Sequence, residues 1–357
     1  MNNIIIFKDK ESYKILNSLS NIRNDMYIYI IIYSFSIFMH VILYLYGYDN
    51  NSQLMNYLSM FPLVAYLSII IFVIYYIIYL LFNRERYPLS RIIFFCKNIW
   101  VNKYRLITSF FMLFSISIFT SYYSSFKAII PLFNPFWFDK YLLNIDKWLF
   151  SGYQPWQLIH NLYTSPWISF ALDLAYQVWF FLVYMLLCYY IVSKSSVIRS
   201  QYIITWLFCW IIIGNLLALL LSSAGPVYAY KLFGYDDYLP LMKLLYKEHA
   251  WLGNQGEAFV LWSLNTQKNL WLSYSEGKNM LGGGISAMPS MHVSMATLMA
   301  LGSYQIHKFL GWGFILFALI IYIGSFSLGW HYALDGMVSA PLTYIIWYIT
   351  GKLLNKK

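Results

Sequence analysis

The chain has 357 residues; it is 60% hydrophobic, 21% aromatic and only 11% charged, with a mean hydropathy of +0.56 and a formal net charge of +10. Soluble domains carry about 25% charged residues, so this composition excludes a soluble globular protein and predicts an all-α fold, a polytopic membrane helical bundle. The positive charge does not call for nucleic acid, because membrane topology accounts for it.

Residues 1–25 mix Lys8, Asp9, Lys10, Glu11 and Lys14 with polar residues and lack the short apolar core of a cleavable signal. Apolar runs able to cross about 30 Å of hydrocarbon follow at 27–46, 59–82, 106–123, 167–193, 203–222, 291–306, 311–328 and 333–350. That predicts about eight spans. The sixth and seventh are joined only by His307-Lys308-Phe309-Leu310, a tight helical hairpin. With the N-terminus inside, the inner segments 1–26, 83–105, 194–202, 307–310 and 351–357 hold 16 of the 24 Lys and Arg residues and four acids. The positive-inside rule then puts both termini in the cytoplasm. Two outer segments exceed simple connectors. Residues 124–166, with Pro131, Pro135, Pro155 and Pro166, predict short helices lying on the membrane surface. Residues 223–290, ending in Gly282-Gly283-Gly284, predict a loop that covers a site. Cys96, Cys188 and Cys209 match no metal spacing and read as membrane-core residues.

The chemistry concentrates near the C-terminus. Gly329-Trp330-His331-Tyr332-Ala333-Leu334-Asp335-Gly336 puts an aspartate four residues after a histidine. On a helix the two share a face, and a carboxylate so placed fixes the imidazole tautomer and leaves the other ring nitrogen free to attack. In Ala287-Met288-Pro289-Ser290-Met291-His292, the proline pre-sets a helix start and Ser290 is a cap candidate. Such a helix N-terminus binds phosphate through its free N–H groups. His292 sits in the first turn, suited to protonate a leaving group. The pairing of PSxH with HxxxD, 39 residues apart across a hydrophobic hairpin, predicts an integral-membrane enzyme transferring phosphoryl groups on a lipid. An isolated HxxxD would as readily be a structural pair.

The arrangement resembles the type 2 phosphatidic acid phosphatase superfamily, and within it the branch that includes fungal inositol phosphorylceramide synthase and related bacterial membrane proteins. The matching stretches run over about 130–345 and include 139–146, 149–152, 165–167, 172–176, Ser222-Ser223-Ala224-Gly225-Pro226-Val227-Tyr228 and both histidine motifs. The resemblance implies a six-helix phosphatase-like core. It also implies a division into residues 1–123, an N-terminal cytoplasmic segment with three less specific spans, and residues 124–350, the catalytic membrane domain. It further implies that His331 is the nucleophile, giving a phosphohistidine, that Asp335 orients it, that His292 is the general acid and that Ser290 contacts phosphate. No cofactor and no metal are implied. The substrate is a phospholipid or polyprenyl phosphate, and water or a polyol acceptor decides between hydrolysis and transfer, for instance of inositol phosphate. Placement in a bacterial inner membrane, with the site facing outward, completes the expectation. The alternative is a transporter or lipid-binding scaffold on the same fold.

The chain departs from that pattern. Where the superfamily has K-x6-R-P, Ala218 and Gly225 replace the two cations and only Pro226 remains; Gly324 and Ser325 stand where Ser-Arg precedes the nucleophile. Phosphoryl transfer needs charge on the equatorial oxygens, so other cations must serve. Lys231 and Lys278 are candidates by their nearness in sequence to the motifs. Gly225-Pro226 predicts a turn that brings backbone close to the phosphate. Asp173, about two turns into a span, is a candidate for a head-group hydroxyl or an active histidine; an inter-helix hydrogen bond is the plain alternative.

Overall fold

The computed structural model describes residues 25–48, 54–101, 103–276 and 282–355. Among these it contains fourteen helices and no strand. In chain order they are α1 (Met26–Leu45), α2 (Leu54–Phe82), α3 (Pro88–Val101), α4 (Lys103–Phe133), α5 (Asp139–Leu149), α6 (Pro155–Leu162) and α7 (Pro166–Val192). There follow α8 (Val197–Leu220), α9 (Pro226–Phe233), α10 (Leu239–Gln255), α11 (Trp262–Glu276), α12 (Met291–Ile306), α13 (Lys308–Ser327) and α14 (Ala333–Asn355).

Five of them are long and apolar enough to cross a bilayer: α1, α4 from Arg105 onward, α7, α8 and α13. The chain is therefore an integral membrane protein. The other three expected runs lie on α2, α12 and α14. With 16 residues, α12 spans only about 24 Å at 1.5 Å per residue. Along α14, Asp335, Ser339, Thr343 and Thr350 are all buried, which lowers its hydropathy and turns it toward protein.

The expected third span ends at 123, but α4 continues to Phe133 with Pro131 inside it. Proline in the last turn cost that helix nothing that a sequence pattern can weigh, because a tertiary neighbour carries the extension. A boundary at 123/124 therefore falls inside one continuous helix. The rest of 124–166 forms α5 and α6, the short helices expected there. Gln154 and Gln157 start α6 with a reciprocal capping box around Pro155. The long segment 223–290 is largely α9, α10 and α11 rather than open loop, and the inner segment 83–105 contains α3.

At the centre stands α12, in contact with α7, α8, α13 and α14. Its buried residues point to all sides, as a helix enclosed by others requires. Polar side chains link α12 to α14 and α8 to α14. Ser294 Oγ meets Thr343 Oγ1 of α14 at 2.7 Å, Thr205 of α8 meets Thr350 at 2.7 Å, and Gln201 Nε2 donates to the Trp347 carbonyl at 2.9 Å. In hydrocarbon such bonds carry helix association, because apolar surface alone has nothing to gain. The middle of α8 winds as a π-helix over Cys209–Leu217, an irregularity that often lies beside functional sites.

One ion pair fastens α1 to the start of α8. Arg199 Nη1 lies 2.7 Å from Asp25 Oδ1, with both side chains nearly buried. A single break there leaves an uncompensated buried charge. Asp25→Asn should thus lower stability by about 3 kcal/mol, while Asp25→Leu combined with Arg199→Met should recover most of that. Thermal unfolding of the detergent-solubilised variants checks both outcomes.

Candidate active site

His331 lies in the turn between α13 and α14. The Trp330 and His331 amides both donate to the Ser325 carbonyl at 3.0 Å, which folds the end of α13 back on itself. The His331 ring is fixed through Nδ1, 2.9 Å from the Ala287 carbonyl and 3.1 Å from Asp335 Oδ2. A carbonyl can only accept, so Nδ1 carries the proton and Nε2 keeps its lone pair. Asp335 is fully buried; its Oδ2 also accepts from the Tyr332 amide at 3.1 Å, so it caps its own helix while orienting the histidine.

His292 sits in the first turn of α12. Its ring lies between Tyr176 and Trp179, with centroids at 4.5 and 4.3 Å, and Trp179 Nε1 donates to the His292 carbonyl at 3.0 Å. The two histidine rings stand 5.7 Å apart, edge to face. Both line one cavity of about 310 Å³. Its wall is rich in aromatic side chains, among them Tyr57, Tyr123, Tyr176, Trp179, Tyr184, Trp210, Tyr228 and Trp330. Gly214 and Ala218, on or just after the π-helical stretch of α8, open one side.

Buried aspartates hold this geometry. Asp139 and Asp146 are two turns apart on α5 and share a face. Asp139 accepts from the Ala224 and Gly225 amides at 2.9 Å, from Ser223 Oγ at 3.0 Å and from the Tyr332 hydroxyl at 3.2 Å. Asp146 accepts from the Ala333 and Leu334 amides at 2.7 and 3.0 Å. It thereby caps, from another helix, the two amides that follow His331 and Tyr332. Burial pushes both carboxyls up, Asp146 to about 7, although the backbone N–H bonds pull the other way.

The residues singled out in the sequence separate here. His292, His331 and Asp335 come together as expected. Ser290 is the N-cap of α12: its hydroxyl accepts from the Val293 amide at 3.4 Å, it is fully buried, and it does not line the cavity. Gly225 makes the predicted turn at φ +92°, where a Cβ would sit 2.8 Å from the Trp330 carbonyl. Pro226 then opens α9. These two buttress the His331 turn and do not line the cavity. Asp173 reaches neither histidine nor cavity; it accepts from the Trp262 and Ser263 amides at 2.7 and 3.0 Å, capping α11. The inter-helix alternative is the one observed. Lys231 is exposed and lies over the Trp271 ring at 4.8 Å, away from the cavity lining. Lys278 lies outside the described residues.

Sequence reasoning missed Lys127, which lines the cavity. A signal existed. Thr120, Tyr123, Ser124 and Lys127 recur at i, i+3, i+4 and i+7 and so share one helical face, and all four line the cavity. It also missed Asp139 and Asp146 as clamps, and the Ala287 carbonyl.

A family profile described as the PAP2 superfamily matches residues 140–349, more than half of the chain. The chain belongs to the PAP2 superfamily. The match covers α5 through α14 almost whole, including both histidine motifs, and begins after Lys127. PAP2 proteins are generally phosphatases, which suggests phosphatase or phosphotransferase activity in this membrane chain. No curated protein and no solved structure matches the chain.

The Asp146 clamp gives a pH dependence. Burial raises its carboxyl from an ordinary 3.8 to about 7, so on folding the group takes up a proton between those values. Its contribution to stability is full below about pH 4 and is lost as pH rises through 7. Asp146→Asn should flatten that part of the stability profile, and Asp146→Ala should also release the α14 amides at a cost of about 1 kcal/mol. Melting temperatures across pH 4 to 8 read both effects.

Proposed function

We propose that this PAP2 protein is a membrane phosphatase or phosphotransferase that works through a phosphohistidine at His331. The observation that carries the reading is the His331 ring, whose Nδ1–H is held by Ala287 and Asp335 while the ring faces the cavity shared with His292. In the first step Nε2 attacks phosphorus, the P–O bond to the leaving alcohol breaks, and protonated His292 gives its proton to that oxygen. Asp335 stabilises the positive charge the phosphorylated imidazole acquires. In the second step His292, now neutral, takes a proton from water or an acceptor hydroxyl as its oxygen attacks phosphorus and frees Nε2. Water yields inorganic phosphate; a lipid or polyol hydroxyl yields a new ester.

The substrate in this reading is a phosphorylated lipid, its head group within an aromatic cavity that suits a polyol such as inositol better than a highly charged group. Eight spans, made by α1, α2, α4, α7, α8, α12, α13 and α14, agree with the charge pattern that keeps both termini inside and put the site at the outer face of a bacterial plasma membrane. Of these, α4, α7, α8, α12, α13 and α14 form the six-helix core. The catalytic domain then extends upstream of 124, since α4 supplies cavity wall on both sides of that position.

Purified protein given radiolabelled phosphatidic acid, polyprenyl phosphate and phosphoinositide, with and without polyol acceptors, tests the proposal. His331→Ala should lose at least a thousandfold in turnover, and Asp335→Asn roughly a hundredfold or more. Wild-type protein quenched during turnover should carry acid-labile, base-stable label that is missing from His331→Ala. His292→Ala should lose about 10² to 10⁴ on alkyl phosphates and far less on p-nitrophenyl phosphate, whose leaving group needs no proton. Equal turnover by wild type and His331→Ala would sink the reading.

A further inference from the structure

We propose that Lys127 is the cation that holds the substrate phosphate against His331. This rests on the reading above and adds a residue that lies outside the matched family region.

Lys127 lies on α4 and lines the same cavity as His292 and His331. Among the described residues it is the only lysine or arginine that does so, and it has no acidic partner there. Its charge is within electrostatic reach of the His292 ring. A lysine held in an aromatic-rich cavity without a counter-ion is costly, and a bound phosphate is the group that would offset it. Transfer of a phosphoryl group also demands a cation at the equatorial oxygens. Positions 218, 225 and 325 supply none, being Ala, Gly and Ser. Ala218 lines this cavity on α8, so the positive charge comes from α4 instead.

The surroundings keep Lys127 in place. The segment 282–286 lies directly on α4: a Cβ on Gly284, at φ +90°, would sit 2.8 Å from the Ala128 amide nitrogen and 2.9 Å from the Lys127 carbonyl carbon. Gly284 and Ser286 line the cavity beside the lysine, and Ala287, next in sequence, supplies the carbonyl that pins His331. Backbone packing thus links the lysine's helix to the nucleophile's anchor within four residues.

The test uses the full chain in detergent, with orthovanadate as the phosphate-shaped probe. Lys127→Met should lower kcat/KM on the lipid phosphate turned over by wild type at least a hundredfold, and Lys127→Arg should recover to within about tenfold. Vanadate should raise the melting temperature of wild type and Lys127→Arg but not of Lys127→Met. Lys231→Met, which alters an exposed lysine away from the cavity, should behave as wild type in both assays. A further measurement needs no variant. Amine-reactive labelling of wild type, read by mass spectrometry, should modify Lys127 less when vanadate is present. Full activity and vanadate response in Lys127→Met, or labelling unchanged by vanadate, would overturn the proposal. If Lys127→Met stays active while His331→Ala is dead, the lysine assignment fails and the phosphohistidine reading stands. If His331→Ala turns over normally, that reading fails instead, and the vanadate measurements still decide whether Lys127 binds an anion.

Discussion

Backbone amides donated to buried carboxylates hold this site together. Asp146 takes the Ala333 and Leu334 amides and Asp139 the Ala224 and Gly225 amides, so one short helix, α5, grips the start of α14 and the end of the α8–α9 turn at once. The unsatisfied N–H groups at a helix start and the desolvation of a carboxylate are each expensive; placed together each offsets part of the other. That pairing fixes where α14 begins. The position of His331, two residues before the helix, and the i,i+4 reach of Asp335 follow from it. Tyr332 completes the frame by donating to both sides, through its amide to Asp335 and its hydroxyl to Asp139.

With the frame set, the tautomer of His331 needs no further device. A carboxylate alone would orient the ring yet leave room for a proton to sit on either nitrogen as the site's charge changes. A carbonyl cannot donate, and Ala287 lies closer to Nδ1 than Asp335 does, at 2.9 against 3.1 Å. The proton therefore stays on Nδ1 whatever the state of Asp335. The segment that supplies this carbonyl also runs into the cap of α12, so both histidines are positioned by one stretch of chain, 287–292.

The histidine motifs were legible because their geometry is local. His331 lies in the turn before α14 instead of on a helix face shared with Asp335, yet the four-residue spacing still lets the side chains meet, and PSxH needs only a helix start; both are written in adjacent residues. What failed to appear was every interaction between distant segments. Asp173 read as a ligand because an acid within a span is costly, yet the amides that repay it belong to α11, 89 and 90 residues away, and no periodicity announces them. Lys231 read as a phosphate cation for its nearness to Pro226, but on α9 its side chain turns outward to Trp271. Gly225 read correctly as a turn, while the carbonyl of Trp330 that forbids a side chain there comes from across the fold. Lys127 is one of the lysines on the outer side, but nearness in sequence to the motifs favours Lys231 and Lys278 over it, and only the fold brings α4 beside the histidines.

The boundary expected at 123/124 bears on how the catalytic unit is built. A family profile that begins at 140 suggests a self-sufficient C-terminal half, but Tyr57 of α2 and Thr120, Tyr123, Ser124 and Lys127 of α4 line the cavity that holds both histidines. A head group seated there touches walls from both halves. In a membrane, where apolar surface alone does not drive helices together, the polar stripe on α4 has its own reason to face inward: its hydroxyls and ammonium have no partner in lipid. The same physics that buries the stripe brings Lys127 into the cavity that His331 lines. Helices α2 and α4 are thus part of the cavity wall.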